Sequence, residues 1–388
     1  MSAIPYGRQD IDQKDIDAVI AVLRSDFLTQ GPAVPAFEKV VAEYCGVQYS
    51  VAVNSATSAL HIACLALGVG KGDIVWTTPI TFVASANCAL YCGASVDFVD
   101  IDPRTYNISV ETLAEKLAEA CKANKLPKVL IPVHFCGQPC DMNGIQVLSQ
   151  QYGFKIIEDA SHAIGGKYKG EPIGNCRFSD ITIFSFHPVK IITTGEGGMA
   201  VTNDAALAKK MRQLRSHGIS NIAEDMQPRP EQEIWNYQQI DLGFNYRMTD
   251  IEAALGVSQM QRLEKFVTKR HAIAKRYNQL LSDLPVLSPW QDPEGYSGYH
   301  LYVIRLKLNE INKTQRQIYD ELHSADILAN LHYIPVYRQP YYKKFGFKAG
   351  YCPEAERYFS EALSIPLYSS LTTEQQDKIL DQLKQCLS

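Results

Sequence analysis

The strongest constraint on how this chain folds is an alternation that runs through its first two-thirds. Short, almost wholly apolar runs are separated by stretches of helical length. Tyr49–Val53, Ile74–Thr77, Val96–Val99, Lys128–Val133, Phe154–Ile157, Ile181–Phe186 and Gly198–Thr202 read as strands. Helices are expected at Asp15–Arg24, Pro35–Cys45, Val83–Gly93, Ser109–Ala123 and Asn143–Tyr152, and again where Asn54–Ser58 lead into an apolar segment ending on Gly68. Strands that are apolar on both faces must be covered on both, and parallel neighbours need connections about this long. The expected fold is therefore α/β, with a mainly parallel sheet between layers of helices.

From Asp250 the period changes. Ile251, Leu255, Leu263, Phe266, Ile273, Tyr277 and Leu280 recur at helical spacing as far as Leu281. A strand at His300–Leu306, a helix at Gln315–Ser324, a strand at Ile327–Ile334 and helices at Glu354–Leu363 and Thr373–Leu387 follow. Since a single core stops growing near roughly 250–300 residues, 388 residues are expected to divide. Residues 1–249 form a large α/β domain, and residues 250–388 a long linking helix with a smaller α+β domain.

The 38 Lys and Arg against 42 Asp and Glu leave a net charge of −4. That balance lacks the basic excess of a nucleic-acid-binding surface. No stretch approaches the roughly 20 apolar residues that cross a bilayer, and the first ten residues lack an apolar targeting segment. A cytoplasmic location is expected, without membrane or nucleic-acid partners. The ten cysteines are scattered in apolar runs with no Cys-x-x-Cys pair, so they read as reduced, small apolar side chains rather than a disulfide frame or metal site.

In open parallel sheets, ligands sit beyond the carboxyl ends of the strands, and three such ends carry polar residues. At Asn54-Ser-Ala-Thr-Ser58 a strand enters a helix through hydroxyl residues. The free N–H groups of that helix start can cradle a phosphate, although capping alone also favours such residues. At Lys155-Ile-Ile-Glu158-Asp159-Ala-Ser-His162 a strand ends in two carboxylates. Strand alternation sends these to opposite faces, so they are not a paired acid and base. The third end is Ser185-Phe-His-Pro-Val-Lys190, followed by Gly195-Glu-Gly-Gly198. Val189, Ile191 and Ile192 flank the lysine, and burial there would supply the neutral amine that reacts with an aldehyde. Together a carboxylate, a phosphate-competent helix start and a buried lysine are the three anchors that pyridoxal phosphate needs.

The chain resembles the DegT-type nucleotide-sugar aminotransferases, pyridoxal-phosphate enzymes of the aspartate-aminotransferase fold (fold type I). The resemblance rests on Leu28-Thr-Gln-Gly-Pro with Phe37-Glu38, on the three strand-end motifs, and on Gly243-Phe-Asn-Tyr-Arg-Met248. It implies that Lys190 bonds the cofactor and carries the proton, that Asp159 pairs with the pyridine nitrogen, and that His162 supports the phenolic oxygen side. By the same resemblance Phe82 stacks on the ring, Thr57, Ser58 and Ser185 hold the phosphate, and Asn245 reaches it from the neighbouring subunit of a homodimer. Ile4-Pro-Tyr-Gly-Arg-Gln, Ile192-Thr-Thr-Gly-Glu-Gly-Gly and Leu331-His-Tyr-Ile-Pro-Val-Tyr are most similar to the branch serving pseudaminic acid biosynthesis. That similarity implies amino transfer from L-glutamate to C4 of a UDP-linked 4-keto-6-deoxy-N-acetylhexosamine, giving UDP-4-amino-4,6-dideoxy-N-acetyl-β-L-altrosamine. Tyr6, Gln30, His332 and Tyr337 lie in these motifs and are the expected sugar-nucleotide contacts, with packing or capping as the alternative for each.

The rivals are a DegT-type enzyme for another nucleotide keto-sugar or a cyclitol, and a catalytically silent regulator on the same scaffold. A regulator would be expected to lack Lys190, Asp159 or Asn245, and the dehydratase relatives replace the lysine with histidine. A nicotinamide enzyme would need Gly-x-Gly-x-x-Gly where Asn54–Ser58 stand.

Overall fold

The computed structural model describes residues 3–387 except 229, 231 and 234–236. Its centre is a seven-stranded sheet of β1 (Tyr49–Val53), β2 (Ile74–Thr77), β3 (Ser95–Phe98), β4 (Val129–Ile131), β5 (Lys155–Asp159), β6 (Ile181–Ser185) and β7 (Gly198–Thr202). The spatial order is β1-β7-β6-β5-β4-β2-β3. All strands share one direction except β7, which runs antiparallel between β1 and β6, with Gly198 opposite both Val53 and Ser185. This reversal brings the start of β7 to the same edge as the carboxyl ends of the others.

Helices α1 (Gln13–Leu23), α2 (Ala33–Cys45), α3 (Ala56–Ala66), α4 (Ala84–Tyr91), α5 (Val110–Lys122), α6 (Met142–Tyr152) and α7 (Ala205–Arg215) surround the sheet. Alternation along β6 shows both faces at work. Ile181 and Ile183 join Leu60 and Ile62 of α3 in one core, while Phe184 turns to Phe37 of α2 in another. Each such fully buried side chain contributes roughly 1.5–3 kcal/mol relative to exposure. Gly46 and Gly153 end α2 and α6 at φ of 70° and 81°, a left-handed conformation that glycine adopts at little cost.

The expected single helix after Asp250 is two, α8 (Asp250–Met260) and α9 (Leu263–Leu280). The break lies where Gln259 donates 2.7 Å to Asp15 Oδ2 and Arg262 reaches Asp10 at 3.0 Å and the buried Asp15. These bonds tie the corner to the start of α1. In α9 the buried stripe of Leu263, Phe266, Val267, Arg270, Ala274 and Tyr277 follows helical spacing. Arg270, 1% exposed, donates to the carbonyls of Tyr299, His300 and Leu367 at 3.1–3.2 Å.

Beyond α9, β8 (Val286–Leu287), β9 (Tyr302–Leu306) and β10 (Ala362–Ile365) form an antiparallel sheet. Two expectations differ from it. The strand expected at Ile327–Ile334 is only Ile327–Leu328, because Asn330 then turns its backbone to Ser364 and bonds it at 2.7 and 3.0 Å. The helix expected to Leu363 ends at Glu361, because Ala362–Ile365 are wholly buried against β9. Tertiary pairing overrides the local helical signal there. The two-residue strand Ile4–Pro5 pairs in parallel with Ile327–Leu328, and Ile4 packs in the core of the C-terminal sheet. The first residues thus sit with the last part of the chain.

Candidate active site

The polar residues expected at strand ends lie along one edge of the sheet, and each is held by local structure. Ser55 caps α3, its Oγ accepting from Ser58 N–H at 3.2 Å, and Ser58 Oγ donates to Asn54 Oδ1 at 2.7 Å. Thr57 is half-buried on the first turn of this helix, and Ser185 is buried at the end of β6. Gly198 crosses directly beneath the helix start, where a Cβ would lie 2.4–2.5 Å from Ser55 C and O and Ala56 N. Only a glycine permits that approach. The result is a cup of hydroxyls and unbonded amides at the positive end of a helix, which suits a phosphate.

Asp159 ends β5 and is 5% exposed. Its Oδ2 accepts from Ser85 Oγ at 2.6 Å and its Oδ1 from Ser161 N–H at 3.1 Å. Glu158 faces the other way, as strand alternation requires, taking hydrogen bonds from His134 Nε2 at 2.7 Å, Thr182 Oγ1 at 3.1 Å and Ser179. Burial pushes its pKa up, but these donors outweigh burial and hold the carboxyl below its ordinary value. Glu158 is a structural anion; Asp159 is the one left at the edge.

Lys190 follows β6 in a tight turn, its N–H bonded to His187 O at 2.9 Å. Ile191 and Ile192, 5% and 1% exposed, lock the turn into the core. Burial lowers the Lys190 pKa from 10.5 to about 8, against the upward pull of Asp159. Such an amine is substantially neutral near pH 8. Gly195, at φ 86°, lets the chain turn back into β7.

His162 is 5% exposed and accepts Cys136 N–H on Nδ1 at 3.3 Å, so its proton sits on Nε2. Burial, then Lys190 and His332, drive its pKa well below 6.5. His300 lies 4.4 Å from its ring and Tyr333 stacks 6.4 Å away at 27°. Tyr333 also faces Phe82 at 6.3 Å, and Phe82 is 58% exposed. Tyr6 meets His332 edge-on at 4.9 Å, while His332 Nδ1 bonds Ser364 Oγ at 2.7 Å. Burial, then Lys190, takes the His332 pKa down to about 3.

The structure thus groups Lys190, Asp159, His162 and His332 electrostatically, and joins Phe82 and Tyr6 to them through Tyr333 and His332. Tyr337 does not join this group. It is 1% exposed and donates its hydroxyl to Glu356 at 2.6 Å, so packing accounts for it. Gln30 is on an exposed turn at φ 57°, and Asn245 is exposed. Ser85, His300 and Tyr333 went unnoticed among the sequence candidates. Ser85 alone left a signal, as a hydroxyl residue near the start of an otherwise small and apolar helix.

A weakly basic lysine, an edge carboxylate and a phosphate cup on a sheet of this topology define a pyridoxal-phosphate enzyme of fold type I. Residues 9–384 match the DegT/DnrJ/EryC1/StrS aminotransferase family, and the chain belongs to it. It is 37% identical over 384 residues to the spore coat polysaccharide biosynthesis protein SpsC of Bacillus subtilis, covering 98% of this chain and 96% of that protein. It is also 37% identical over 381 residues, with the same coverage, to the UDP-4-amino-4,6-dideoxy-N-acetyl-β-L-altrosamine transaminase of Campylobacter jejuni serotype O:23/36. Among solved structures it superposes on Helicobacter pylori PseC, an aminotransferase involved in pseudaminic acid biosynthesis, with a TM-score of 0.90. That pair is 30% identical, and the match covers 100% of this chain and 99% of PseC. The chain is a pyridoxal-phosphate-dependent sugar aminotransferase, and solved neighbours include pyridoxal and pyridoxamine forms.

Proposed function

We propose that the enzyme moves an amino group from L-glutamate to C4 of a UDP-linked 4-keto-6-deoxy-N-acetylhexosamine. The product is UDP-4-amino-4,6-dideoxy-N-acetyl-β-L-altrosamine, a precursor in pseudaminic acid biosynthesis, made in the cytoplasm. The observation that carries this reading is the placing of Tyr6 and His332, from the two motifs most similar to the pseudaminic branch, in contact beside the Lys190 group. The 37% identity to the altrosamine transaminase supports it. SpsC, at the same identity, favours a second reading in which the acceptor is another nucleotide keto-sugar.

When bound, the cofactor supplies an electron sink for the carbon that gains or loses the amino group. The residues of the chain do the rest. The start of α3 with Thr57, Ser58 and Ser185 would hold the phosphate, and Asp159 would pair with the pyridine nitrogen. With Nδ1 taken by Cys136 N–H, His162 would have Nε2 free to donate to the phenolic oxygen side. Phe82 would cover the ring, and Lys190 would be the base that carries the proton within the site. Its lowered pKa favours that exchange near neutral pH.

A homodimer with shared sites is part of the proposal. Ile16, Ile20 and Leu23 line one face of α1 at 44%, 36% and 55% exposure, and Leu242, near Asn245, is 75% exposed. Exposed apolar residues of this kind support an interface there. From that surface Asn245 would reach the partner's phosphate cup.

The test is incubation with L-glutamate and a panel of UDP- and dTDP-linked keto-sugars, followed by assignment of the stereochemistry at the aminated carbon. Formation of the L-altro product from the UDP-sugar is expected. Reaction with only a dTDP-sugar or an inositol ketone would overturn the assignment.

A further inference from the structure

β1 is an edge strand, and an exposed strand edge ordinarily presents unpaired N–H and C=O groups. Here the outward groups of alternate residues are taken up one after another. Ser50 O accepts from Arg212 Nη2 at 3.2 Å. Ala52 N–H donates to Glu38 Oε1 at 2.8 Å, and Ala52 O accepts from Arg215 Nη1, also at 2.8 Å. Glu38 and Arg215 close the triangle with a 2.6 Å ion pair whose side chains are 14% and 16% exposed. One step further, Asn54 N–H donates to Tyr246 O at 2.9 Å. That residue immediately precedes the Ser55 cap of the phosphate cup.

The segment holding Tyr246 is itself fastened to the end of α7. Phe244 N–H bonds Leu214 O at 2.7 Å, His217 N–H bonds Phe244 O at 2.8 Å, and Tyr246 N–H bonds Arg215 O at 3.0 Å. Asn245 bridges to Ser216. Arg215 therefore grips β1 with its guanidinium and segment 244–246 with its carbonyl. Glu38, in a motif the catalytic reading leaves unused, fixes that guanidinium.

We propose that Glu38 and Arg215 are positioning residues, setting segment 244–246 against the edge of β1 so that Asn245 is presented to the neighbouring subunit's cofactor phosphate. The inference rests on the shared-site reading above. A partly buried, charge-assisted triangle is directional enough for this, since both partners also bond the strand backbone. Arg212 is the internal comparison: it seals the same edge at Ser50 and, over the Tyr49 ring at 5.9 Å, bonds β1 but not segment 244–246.

The experiment measures pyridoxal phosphate affinity of the cofactor-free chain by absorbance titration, with melting temperature recorded in parallel. Asn245→Ala, Glu38→Gln and Arg215→Lys are each expected to weaken affinity on the order of tenfold, and Arg212→Ala to leave it unchanged. Combining Arg215→Lys with Asn245→Ala is expected to add little to Asn245→Ala alone, because both act through one contact. If Asn245→Ala weakens binding while Glu38→Gln and Arg215→Lys only lower the melting temperature, the positioning role fails and the shared site stands. If Arg212→Ala weakens binding equally, the edge acts merely as structure and the inference is overturned. If Asn245→Ala changes nothing, the shared-site reading itself falls. Should Glu38→Gln not fold, Arg215→Lys carries the comparison alone.

Discussion

Ser85 Oγ, on α4, donates to Asp159 Oδ2 across 2.6 Å, with Thr81 Oγ1 a further 2.8 Å behind it. The carboxylate proposed to pair with the cofactor is therefore oriented by a helix packed on the neighbouring part of the sheet. A hydrogen bond to a charged group is worth about 1.5–3 kcal/mol. Ser85→Ala is expected to lower kcat on the order of tenfold, with KM for the sugar little altered, because the bond aims a group rather than binding substrate. Steady-state kinetics check this; a rise in KM at unchanged kcat would contradict it.

The Lys190 amine gives a pH signature without any substrate. Its pKa is 10.5 in the unfolded chain and about 8 when folded. Between those values the unfolded chain holds a proton that the folded chain lacks, so stability rises with pH across that window. Lys190→Met should flatten this rise in the cofactor-free protein, as read from denaturant midpoints between pH 8 and 10.5. Equal slopes in both proteins would show that the lysine ionises normally. Condensation of wild type with pyridoxal phosphate should accelerate through a midpoint near pH 8.

Gly198→Ala places a methyl group against the backbone of Ser55 and Ala56, which cannot swing aside as a side chain can. Overpacking costs roughly 1–3 kcal/mol. Both a lower melting temperature and weaker cofactor binding are expected, since the displaced atoms belong to the proposed phosphate cup. A stable Gly198→Ala protein with unaltered affinity would show that the cup lies elsewhere.

The proposed shared sites would make two dead subunits complementary. Lys190→Ala and Asn245→Asp, each inactive alone, should regain about one quarter of wild-type activity when unfolded and refolded together, because half the dimers are hybrids with one intact site. No recovery, with dimers seen by sedimentation, would place each site within a single subunit.

The sheet was legible because its strands are short, largely apolar runs; β1, β2 and β7 fall at the expected residues. Periodicity carried no sign of the break at Gln261–Arg262, which depends on an aspartate some 250 residues earlier. Nor could it reveal β10, whose Ala-Leu-Ser-Ile reads equally well as the end of a helix. At the site, Lys190 and Asp159 stood out by chemistry and position. Tyr333 was hidden beside Tyr337, since which tyrosine of one motif faces the site is decided by the turn after Asn330, not by spacing.

The pairing of Ile4–Pro5 with Ile327–Leu328 sets an order on biosynthesis. The ribosome makes the second strand about 320 residues after the first, and at roughly 5–20 residues per second this delay lasts tens of seconds. Throughout it Tyr6, tethered next to that strand, has no His332 to meet. The sheet edge bearing Lys190 can form well before its Tyr6–His332 wall exists, so each nascent chain can pass through a stage with that edge assembled and that side still open.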